Sequence, residues 1–295
     1  MKNFLAALLL IGLGFSGAFY AGKEAKKRES AIATAVVPTT SAFQPSLYPL
    51  HNRAFVIIVI GYNNGASVEK TLQSIFSQNY EQYRVIYIDD ASDDGSFELA
   101  RERIYDSGQM MRVTLAKNER RVGMLANLSR AVQACQDAEI AVVVDGEDWL
   151  AHEWVLPRLN QYYANSDLWM TYGQYREYPQ YSLGFSKPMA AEGNLRQEPF
   201  SASHLKSFYA GLFKKIPEKE LMEEGRFFLS ASELAFMLPL LEMAKGHSTF
   251  VPEVLYIANR IAKEDRELAA RCEKAIRAKP AQAALSKLAL KAEAP

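Results

Sequence analysis

Cysteine is scarce in this 295-residue sequence, and neither sign of charge is in excess, since Lys plus Arg and Asp plus Glu number 34 each. Cys135 and Cys272, the only two cysteines, are too far apart to form a metal-ligand spacing. The net charge is zero, and the sequence shows no basic face interleaved with aromatic residues. There is therefore no electrostatic reason to expect nucleic acid as a partner. The functional signal therefore has to come from local motifs.

Two common glycine-rich phosphate-binding motifs are also missing. The first apolar run, residues 55–60, is followed by Gly61-Tyr62-Asn63-Asn64-Gly65 instead of G-x-G-x-x-G, and G-x-x-x-x-G-K-[ST] does not occur. Neither a nicotinamide site nor a P-loop is supported. Acidic loops without a glycine cradle favour another solution, in which a metal ion neutralises a diphosphate.

The most informative stretch that is present spans residues 139–149, EIAVVVDGEDW. Its continuous apolar run at 140–144 is typical of a strand buried on both faces of a parallel sheet. Asp145, Glu147 and Asp148 follow, and three carboxylates so close together repel one another unless a cation neutralises them. Oxygen ligands suit Mg²⁺ or Mn²⁺ bridging phosphates. The alternative is a solvated acidic turn, and the rest of the chain decides between the two.

Apolar runs and helical periodicities alternate along the chain. Strands are predicted at 55–60, 84–88, 111–115 and 140–144, and helices from Val68 to about 78, from an N-cap at Ser96 toward 105, and over 123–136. This β-α-β-α-β-α-β order predicts a doubly wound, mostly parallel α/β sheet. Ligands of such sheets bind beyond the carboxyl ends of the strands, so the polar loops at 61–65, 89–96 and 145–148 are expected to converge on one site.

The amino terminus carries a different signal. Residues 4–22 hold no charge, and roughly 20 apolar residues span a bilayer. Residues 1–29 are therefore predicted to be a signal-anchor or a cleaved signal peptide. The basic cluster at 23–28 favours an uncleaved membrane anchor with the following domain in the cytoplasm, whereas cleavage would make the protein secreted or periplasmic. Residues 30–52, rich in proline, are predicted to be a linker.

Three motifs, each after a predicted strand, carry a family resemblance. FVIIVIGYNN (55–64), VIYIDDASDDGS (85–96) and DGEDWL (145–150) resemble, in this order, the family 2 glycosyltransferases of GT-A fold. The resemblance covers residues 55 to about 170 closely and continues more loosely through 204–213 and 251–259. It implies a Rossmann-like, mostly parallel sheet with helices on both faces, followed by a smaller helical acceptor-side region.

The resemblance also implies a domain plan and an activity. Residues 53–164 would form the nucleotide-sugar-binding half, 165–260 the acceptor-side half with the catalytic base, and 261–295 a helical tail. The implied reaction is a metal-dependent, inverting transfer of a sugar from a nucleotide diphosphate donor. The acceptor would be a hydroxyl group of a carbohydrate, a lipid-linked molecule or a protein.

Several residues of the polar loops are matched to the family's nucleotide side. Asp90 is expected to accept a hydrogen bond from the base or the ribose, and a carboxylate suits the N–H of uracil, which favours a UDP-sugar. Tyr62 is expected to stack on the base, an interaction worth about 1 to 3 kcal/mol, or to be an ordinary rim aromatic. Asn63 is either a substrate contact or a turn residue. Asn127, with Asn118, flanks a loop that resembles the one lining the donor.

The acidic corner is matched to the metal site. The resemblance assigns Asp148 and Glu147 to a Mn²⁺ or Mg²⁺ ion and Asp145 to the nucleotide side. The commoner family form is D-G-D-D, and this sequence has glutamate at the third position. Glutamate is one methylene longer, so Glu147 would reach a cation with looser geometry.

An inverting transfer needs a base for the acceptor hydroxyl. The family places this carboxylate at the start of a helix facing the donor, which matches Glu233 before the apolar run 234–243. A helix N-terminus also stabilises a carboxylate, so Glu233 is either the base or a favourable first-turn residue. Glu223 and Glu224 are the alternatives. His204 is expected to contact the diphosphate or the acceptor, or to be structural.

Two other classes of function compete with a glycosyltransferase. A nucleotidyltransferase shares the fold and the metal, but it should show a basic glycine-rich loop after the first strand, and residues 61–65 contain no Lys or Arg. The other is a non-catalytic glycan-binding or scaffold protein, for which Glu147 and Glu233 would be signs of drift.

Overall fold

The computed structural model describes residues 51–189, 193–259 and 265–290. The predicted signal-anchor or signal peptide, residues 30–50 of the predicted linker, and residues 261–264 and 291–295 of the predicted tail lie outside the described residues. Among the helices of the described part, none is both long and apolar enough to cross a membrane.

The nucleotide-side half alternates strands and helices as predicted. Its elements are β1 (Phe55–Gly61), α1 (Gly65–Phe76), β2 (Tyr83–Asp89), α2 (Ser96–Asp106), a 3-10 turn (Met110–Arg112), β3 (Val113–Lys117), α3 (Met124–Gln133), β4 (Ile140–Asp145), β5 (Trp149–Leu150) and α4 (Val155–Tyr162). β1 is buried throughout, and so are residues 140–144 of β4. Two-sided burial is what their uninterrupted apolar sequence requires.

The acceptor-side half contains more strands than the helical region that the sequence predicted. Its elements, with the tail helix, are β6 (Met170–Tyr178), β7 (Ser182–Leu183), β8 (Lys206–Tyr209), α5 (Ala210–Phe213), a 3-10 turn (Glu218–Leu221), β9 (Met222–Glu223), β10 (Arg226–Phe227), α6 (Ser232–Met243), β11 (Ser248–Asn259) and α7 (Arg266–Ala278). α6 is apolar on nearly all sides and is buried from Leu234 to Met243. A helix of that composition belongs in a core.

One sheet runs through both halves, in the order β3-β2-β1-β4-β8-β6-β11-β5, with β7 beside β6. β3, β2, β1 and β4 are parallel to one another, β8 is antiparallel to β4 and β6, and β11 is parallel to β6. β1, β2, β4, β6 and β11 therefore end at the same edge, and β8 begins there. The predicted mostly parallel α/β sheet is confirmed.

Two local features differ from the sequence prediction. The N-cap of α2 is Gly95, whose φ of +87° suits glycine, and Ser96 is the first helical residue. In the tail, α7 begins after Asp265, whose side chain caps it, and ends at Ala278. The chain beyond it packs back on the domain, where the main-chain N–H of Leu285 donates to the oxygen of Met243.

Candidate active site

The acidic corner meets a histidine at the shared edge of the sheet. Asp145 ends β4 and Asp148 lies three residues further, while His204 lies just before β8, the antiparallel neighbour of β4. One ligand atom from each of the three side chains lies within 4.8 Å of the other two. The structure thus groups the predicted metal ligand Asp148 with two residues that were assigned to substrate, and Glu147 lies between the two aspartates in the chain.

The carboxylates of this corner repel one another. Burial, and then the charge of Asp145, raises the pKa of Glu147 to about 7. Burial is also the main reason that the pKa of Asp148 is well above its usual value, with the charges of Asp145 and Glu147 adding to it. Two carboxylates and an imidazole are ordinary ligands of a divalent cation, and such an ion would relieve the repulsion, so the donor set fits one.

Main-chain and side-chain donors hold Asp148 in place. The hydroxyl of Tyr256 donates to Oδ2 at 2.8 Å, and the main-chain N–H of Asn259 donates to Oδ1 at 2.6 Å. Thr71 Oγ1 donates to the main-chain oxygen of Asp148 at 2.7 Å. Tyr256 and Asn259 both belong to β11, and sequence reasoning missed them because they lie more than a hundred residues from the acidic corner.

His204 is enclosed by aromatic rings. It stacks on Tyr256 with 4.5 Å between ring centroids and an interplanar angle of 5°, and it meets the edge of Tyr175 at 5.4 Å. β6 supplies Tyr175 and β11 supplies Tyr256, which face each other in register. The sheet therefore fixes the plane of the imidazole.

Asn64 joins the loop after β1 to the acidic corner. Its side-chain amide donates to the main-chain oxygen of Gly146 at 2.7 Å, and its main-chain N–H donates to Ser96 Oγ at 3.0 Å. Gly146 is packed so closely that a Cβ there would lie 2.5 Å from Gly61 Cα. Sequence reasoning noticed the G-Y-N-N-G loop but missed Asn64, whose partners come from the two other strand ends.

Asp90 organises the predicted nucleotide loop. Its Oδ1 accepts hydrogen bonds from the Asn118 side chain at 2.8 Å and from the Val122 N–H at 2.9 Å, and its Oδ2 accepts from the Gly123 N–H at 2.8 Å. Burial alone would raise the pKa of Asp90, but these hydrogen bonds outweigh burial and lower it. Asn118 also donates to Asn127 Oδ1 at 2.8 Å. The structure therefore brings Asp90 and Asn127 into one cluster.

Tyr62 and Asn63 lie at the rim of the same edge. Tyr62 is 38% exposed, and the guanidinium of Arg121 lies 3.8 Å from its ring centroid. Asn63 has a left-handed φ of +50°. It exchanges hydrogen bonds with Asp93, since its side chain donates to Oδ1 at 2.9 Å and accepts from the main-chain N–H at 3.0 Å. Asn63 thus ties the loops after β1 and β2 together.

The predicted base Glu233 is paired with a lysine that the sequence analysis did not identify. Lys206 Nζ lies 3.0 Å from Glu233 Oε1, and the two side chains are 2% and 28% exposed. Lys206 follows His204 by two residues at the start of β8, so this strand connects the predicted base to the metal group. Glu223 and Glu224, the alternative bases, belong to the separate β9–β10 hairpin.

A family of known proteins matches the greater part of this chain. The family model described as Glycosyl transferase family 2 matches residues 56–221, which is more than half of the sequence. The matched range includes all of β1 except Phe55, together with β4, the acidic corner and His204. No curated protein sequence matches the chain.

Solved structures share the fold at low sequence identity. A mannosyltransferase from Pyrobaculum calidifontis, in complex with GDP-Man and Mn²⁺, has a TM-score of 0.58 at 18% identity, over 94% of this chain and 76% of its own. TarS 1-349 from S. aureus, in complex with UDP-GlcNAc, has a TM-score of 0.56 at 15% identity, over 72% of this chain. The chain covers only 60% of that TarS structure. Mannosyl-3-phosphoglycerate synthase from Rubrobacter xylanophilus has a TM-score of 0.51 at 13% identity, over 76% of this chain and 71% of its own.

Proposed function

Because this chain belongs to glycosyl transferase family 2, we propose that it is a metal-dependent, inverting glycosyltransferase. It moves a sugar from a nucleoside diphosphate donor to a hydroxyl group of a carbohydrate, a lipid-linked molecule or a protein. The observation that carries the proposal is the grouping of Asp145, Asp148 and His204 within 4.8 Å at the strand edge. The relatives solved with UDP-GlcNAc and with GDP-Man and Mn²⁺ support a nucleotide-sugar donor and a divalent cation.

The set of metal-ligand atoms favours Mn²⁺ over Mg²⁺. Asp145 and Asp148 would hold the ion through carboxylate oxygens and His204 through a ring nitrogen, a ligand that suits transition metals better than Mg²⁺. When bound, the ion would neutralise the diphosphate of the donor and help it to leave. Glu147 stays our predicted additional ligand, reaching the ion from the same turn.

The nucleotide would lie over the loops after β1 and β2. The base would stack on the partly exposed ring of Tyr62. It would lie either on the face opposite Arg121 or on the face that Arg121 covers, with the guanidinium displaced. Asp90 Oδ2 accepts a hydrogen bond from the Gly123 N–H, and a carboxylate oxygen can accept a second one. That second position suits the N–H of uracil, which supports a UDP-sugar as the donor. Asn63 would line the same pocket. Asn127 is fully buried and would act indirectly, through its hydrogen bond with Asn118.

The transfer would be a single displacement. The acceptor oxygen attacks the anomeric carbon, the bond from that carbon to the diphosphate oxygen breaks with both electrons going to the diphosphate, and the configuration inverts. The carboxylate of Glu233 takes the proton of the acceptor hydroxyl. Lys206 holds one oxygen of that carboxylate, which leaves Oε2 to accept the proton.

A binding titration tests the function directly. UDP-sugars are titrated into the full-length protein with and without Mn²⁺, and then into Asp148→Asn and the surface control Asp106→Asn. We expect tight binding only with Mn²⁺, loss of binding in Asp148→Asn, and wild-type behaviour in the control. UDP-sugar binding that is the same with and without Mn²⁺, and the same in Asp148→Asn, would reject the enzymatic function. A glycan-binding or scaffold role would then remain. Release of pyrophosphate from a nucleoside triphosphate would instead support a nucleotidyltransferase.

We also propose that residues 1–29 attach the protein to a membrane, with the catalytic domain in the cytoplasm. The support is the uncharged run at 4–22 and the basic cluster that follows it. Amino-terminal sequencing of the protein from the membrane fraction tests this. A mature chain that begins near Phe19 would show cleavage and a secreted or periplasmic protein instead.

A further inference from the structure

Tyr256 contacts all three members of the candidate metal group. Its hydroxyl donates to Asp148 Oδ2 at 2.8 Å and accepts a hydrogen bond from the main-chain N–H of Asp145 at 3.1 Å. Its ring stacks on His204, with 4.5 Å between centroids and an angle of 5° between planes. We propose that Tyr256 is the positioning residue that sets Asp145, Asp148 and His204 in the arrangement needed to bind the metal ion.

The sheet holds Tyr256 rigidly enough for this role. Tyr256 is fully buried, and it is paired on one side with Tyr175 of β6 and on the other with Leu150 of β5. A central position in three strands leaves the side chain little freedom to change rotamer. The phenol therefore has a fixed position against which Asp148 and His204, which come from loops, and Asp145, at the end of β4, are held.

The chemistry of one hydroxyl explains how two aspartates are set at once. A phenol has one proton to donate and lone pairs that accept. The proton goes to Asp148 Oδ2, so the lone pair is directed at the N–H of Asp145. The Asn259 N–H holds the other oxygen of Asp148. Each oxygen of Asp148 keeps a second lone pair, and these are the positions available to a cation.

The stack adds the third ligand. The His204 imidazole comes from a loop residue before β8, and the parallel Tyr256 ring restricts it to one plane. Outer partners that orient metal ligands in this way typically contribute 10- to 100-fold in metal affinity. The same size of effect is expected here.

Tyr256→Phe isolates the hydroxyl, because it keeps the ring and its stack on His204. The matched control is Tyr163→Phe, which removes an equally buried hydroxyl that lies 2.9 Å from Ser207 Oγ. Mn²⁺ binding by the full-length proteins is measured by electron paramagnetic resonance and calorimetry, with UDP and without it. Circular dichroism and urea unfolding show that each variant is folded.

We expect Tyr256→Phe to bind Mn²⁺ about 10- to 100-fold more weakly, and Tyr163→Phe to bind it like the wild type. The KM for Mn²⁺ should rise in Tyr256→Phe, while kcat at saturating Mn²⁺ returns close to the wild-type value. Wild-type Mn²⁺ affinity in Tyr256→Phe would overturn the proposal, as would an equal loss in Tyr163→Phe.

The inference rests on the proposed function, and the same experiment separates the two failures. If the wild-type protein binds Mn²⁺ and Tyr256→Phe binds it with equal affinity, only the positioning role of Tyr256 is rejected. A wild-type protein that binds no Mn²⁺ with or without UDP rejects the metal-dependent function, and the role of Tyr256 with it. If Tyr256→Phe does not fold, Tyr256→Trp, which keeps a ring that can donate and adds no metal ligand, must bind Mn²⁺ more tightly than Tyr256→Leu; equal affinities overturn the proposal.

Discussion

The side-chain amide of Asn64 donates a hydrogen bond of 2.7 Å to the main-chain oxygen of Gly146, which lies 82 residues further along the chain. Asn64 follows β1 and Gly146 follows β4, so this contact fastens the ends of two adjacent parallel strands to each other. The turn that carries Asp145 and Asp148 is thereby attached to the sheet.

Replacing Asn64 with alanine should loosen that turn. Asn64 is 5% exposed, and its amide is the nearest donor to the buried oxygen of Gly146, at 2.7 Å. The Thr71 hydroxyl lies 3.0 Å from the same oxygen, but it shares its single proton with the oxygen of Asp148. We expect a loss of about 1–3 kcal/mol in the free energy of unfolding and weaker Mn²⁺ binding. Urea unfolding and a Mn²⁺ titration measure the two effects. The exposed Asn79→Ala is the control, and equal results for the two variants would contradict the role given to Asn64.

A methyl group at Gly146 should be more damaging. The new Cβ would lie 2.5 Å from Gly61 Cα and 3.0 Å from the main-chain oxygen of Ile60, and neither atom belongs to a flexible side chain. We expect Gly146→Ala to lose about 3 kcal/mol or more of stability. Gly108→Ala is the comparison, since Gly108 has a φ of +69° and open space around it, so alanine there adds backbone strain without a clash. The prediction fails if thermal unfolding finds Gly146→Ala the milder change.

The sheet on which these contacts depend was largely predictable from the sequence. Residues 55–60 and 140–144 are apolar without interruption, and an element buried on both faces has that pattern wherever it lies in the sheet. Boundaries were less predictable. β3 starts at Val113 rather than 111 because Met110–Arg112 form a 3-10 turn, and α3 ends at Gln133 rather than 136.

The site was only partly predictable, for a physical reason. The acidic corner is a local motif, and its residues are contiguous in the chain. Tyr256 and Asp148 are 108 residues apart in the chain. They meet because β11 lies between β6 and β5 in the sheet. No local pattern encodes that strand order, so the family resemblance suggested a site role for His204 but assigned none to Lys206 or Tyr256.

His204 and Glu147 can be compared as metal ligands. The structure groups His204 with the two aspartates, whereas the sequence favoured Glu147. We expect His204→Ala to weaken Mn²⁺ binding by more than about tenfold and Glu147→Gln to weaken it less. Mn²⁺ titration of both variants decides. A larger loss in Glu147→Gln would show that the sequence prediction was right about Glu147.

The stability contributed by Asp90 should depend on pH. Hydrogen bonds from the loop at 118–123 lower the pKa of Asp90 in the folded protein, against the effect of its burial. A carboxyl group with a depressed pKa stabilises the fold above its unfolded pKa of about 3.9, and this contribution is lost as the pH falls through the folded value. Asp90→Asn should therefore be less stable than the wild type at pH 7, and the gap should narrow below about pH 4. Urea unfolding across this range tests it, and a constant gap would contradict it.

The last prediction separates catalysis by Glu233 from its pairing with Lys206. Glu233→Gln leaves the ammonium of Lys206 buried without its charged partner. The variant should lose up to about 3 kcal/mol of stability, limited by the partial exposure of Glu233. If Glu233 is the base, kcat should also fall by about 10²- to 10⁴-fold, while the affinity for the donor stays close to that of the wild type.

The double variant Lys206→Met with Glu233→Gln removes both members of the ion pair. It should recover most of the lost stability, because no unpaired buried charge remains. Its activity should stay as low as that of Glu233→Gln, since no carboxylate is present to take the proton of the acceptor. Recovery of activity together with stability would mean that Glu233 serves the fold alone, and the base would then have to be sought elsewhere, with Glu223 and Glu224 tested first.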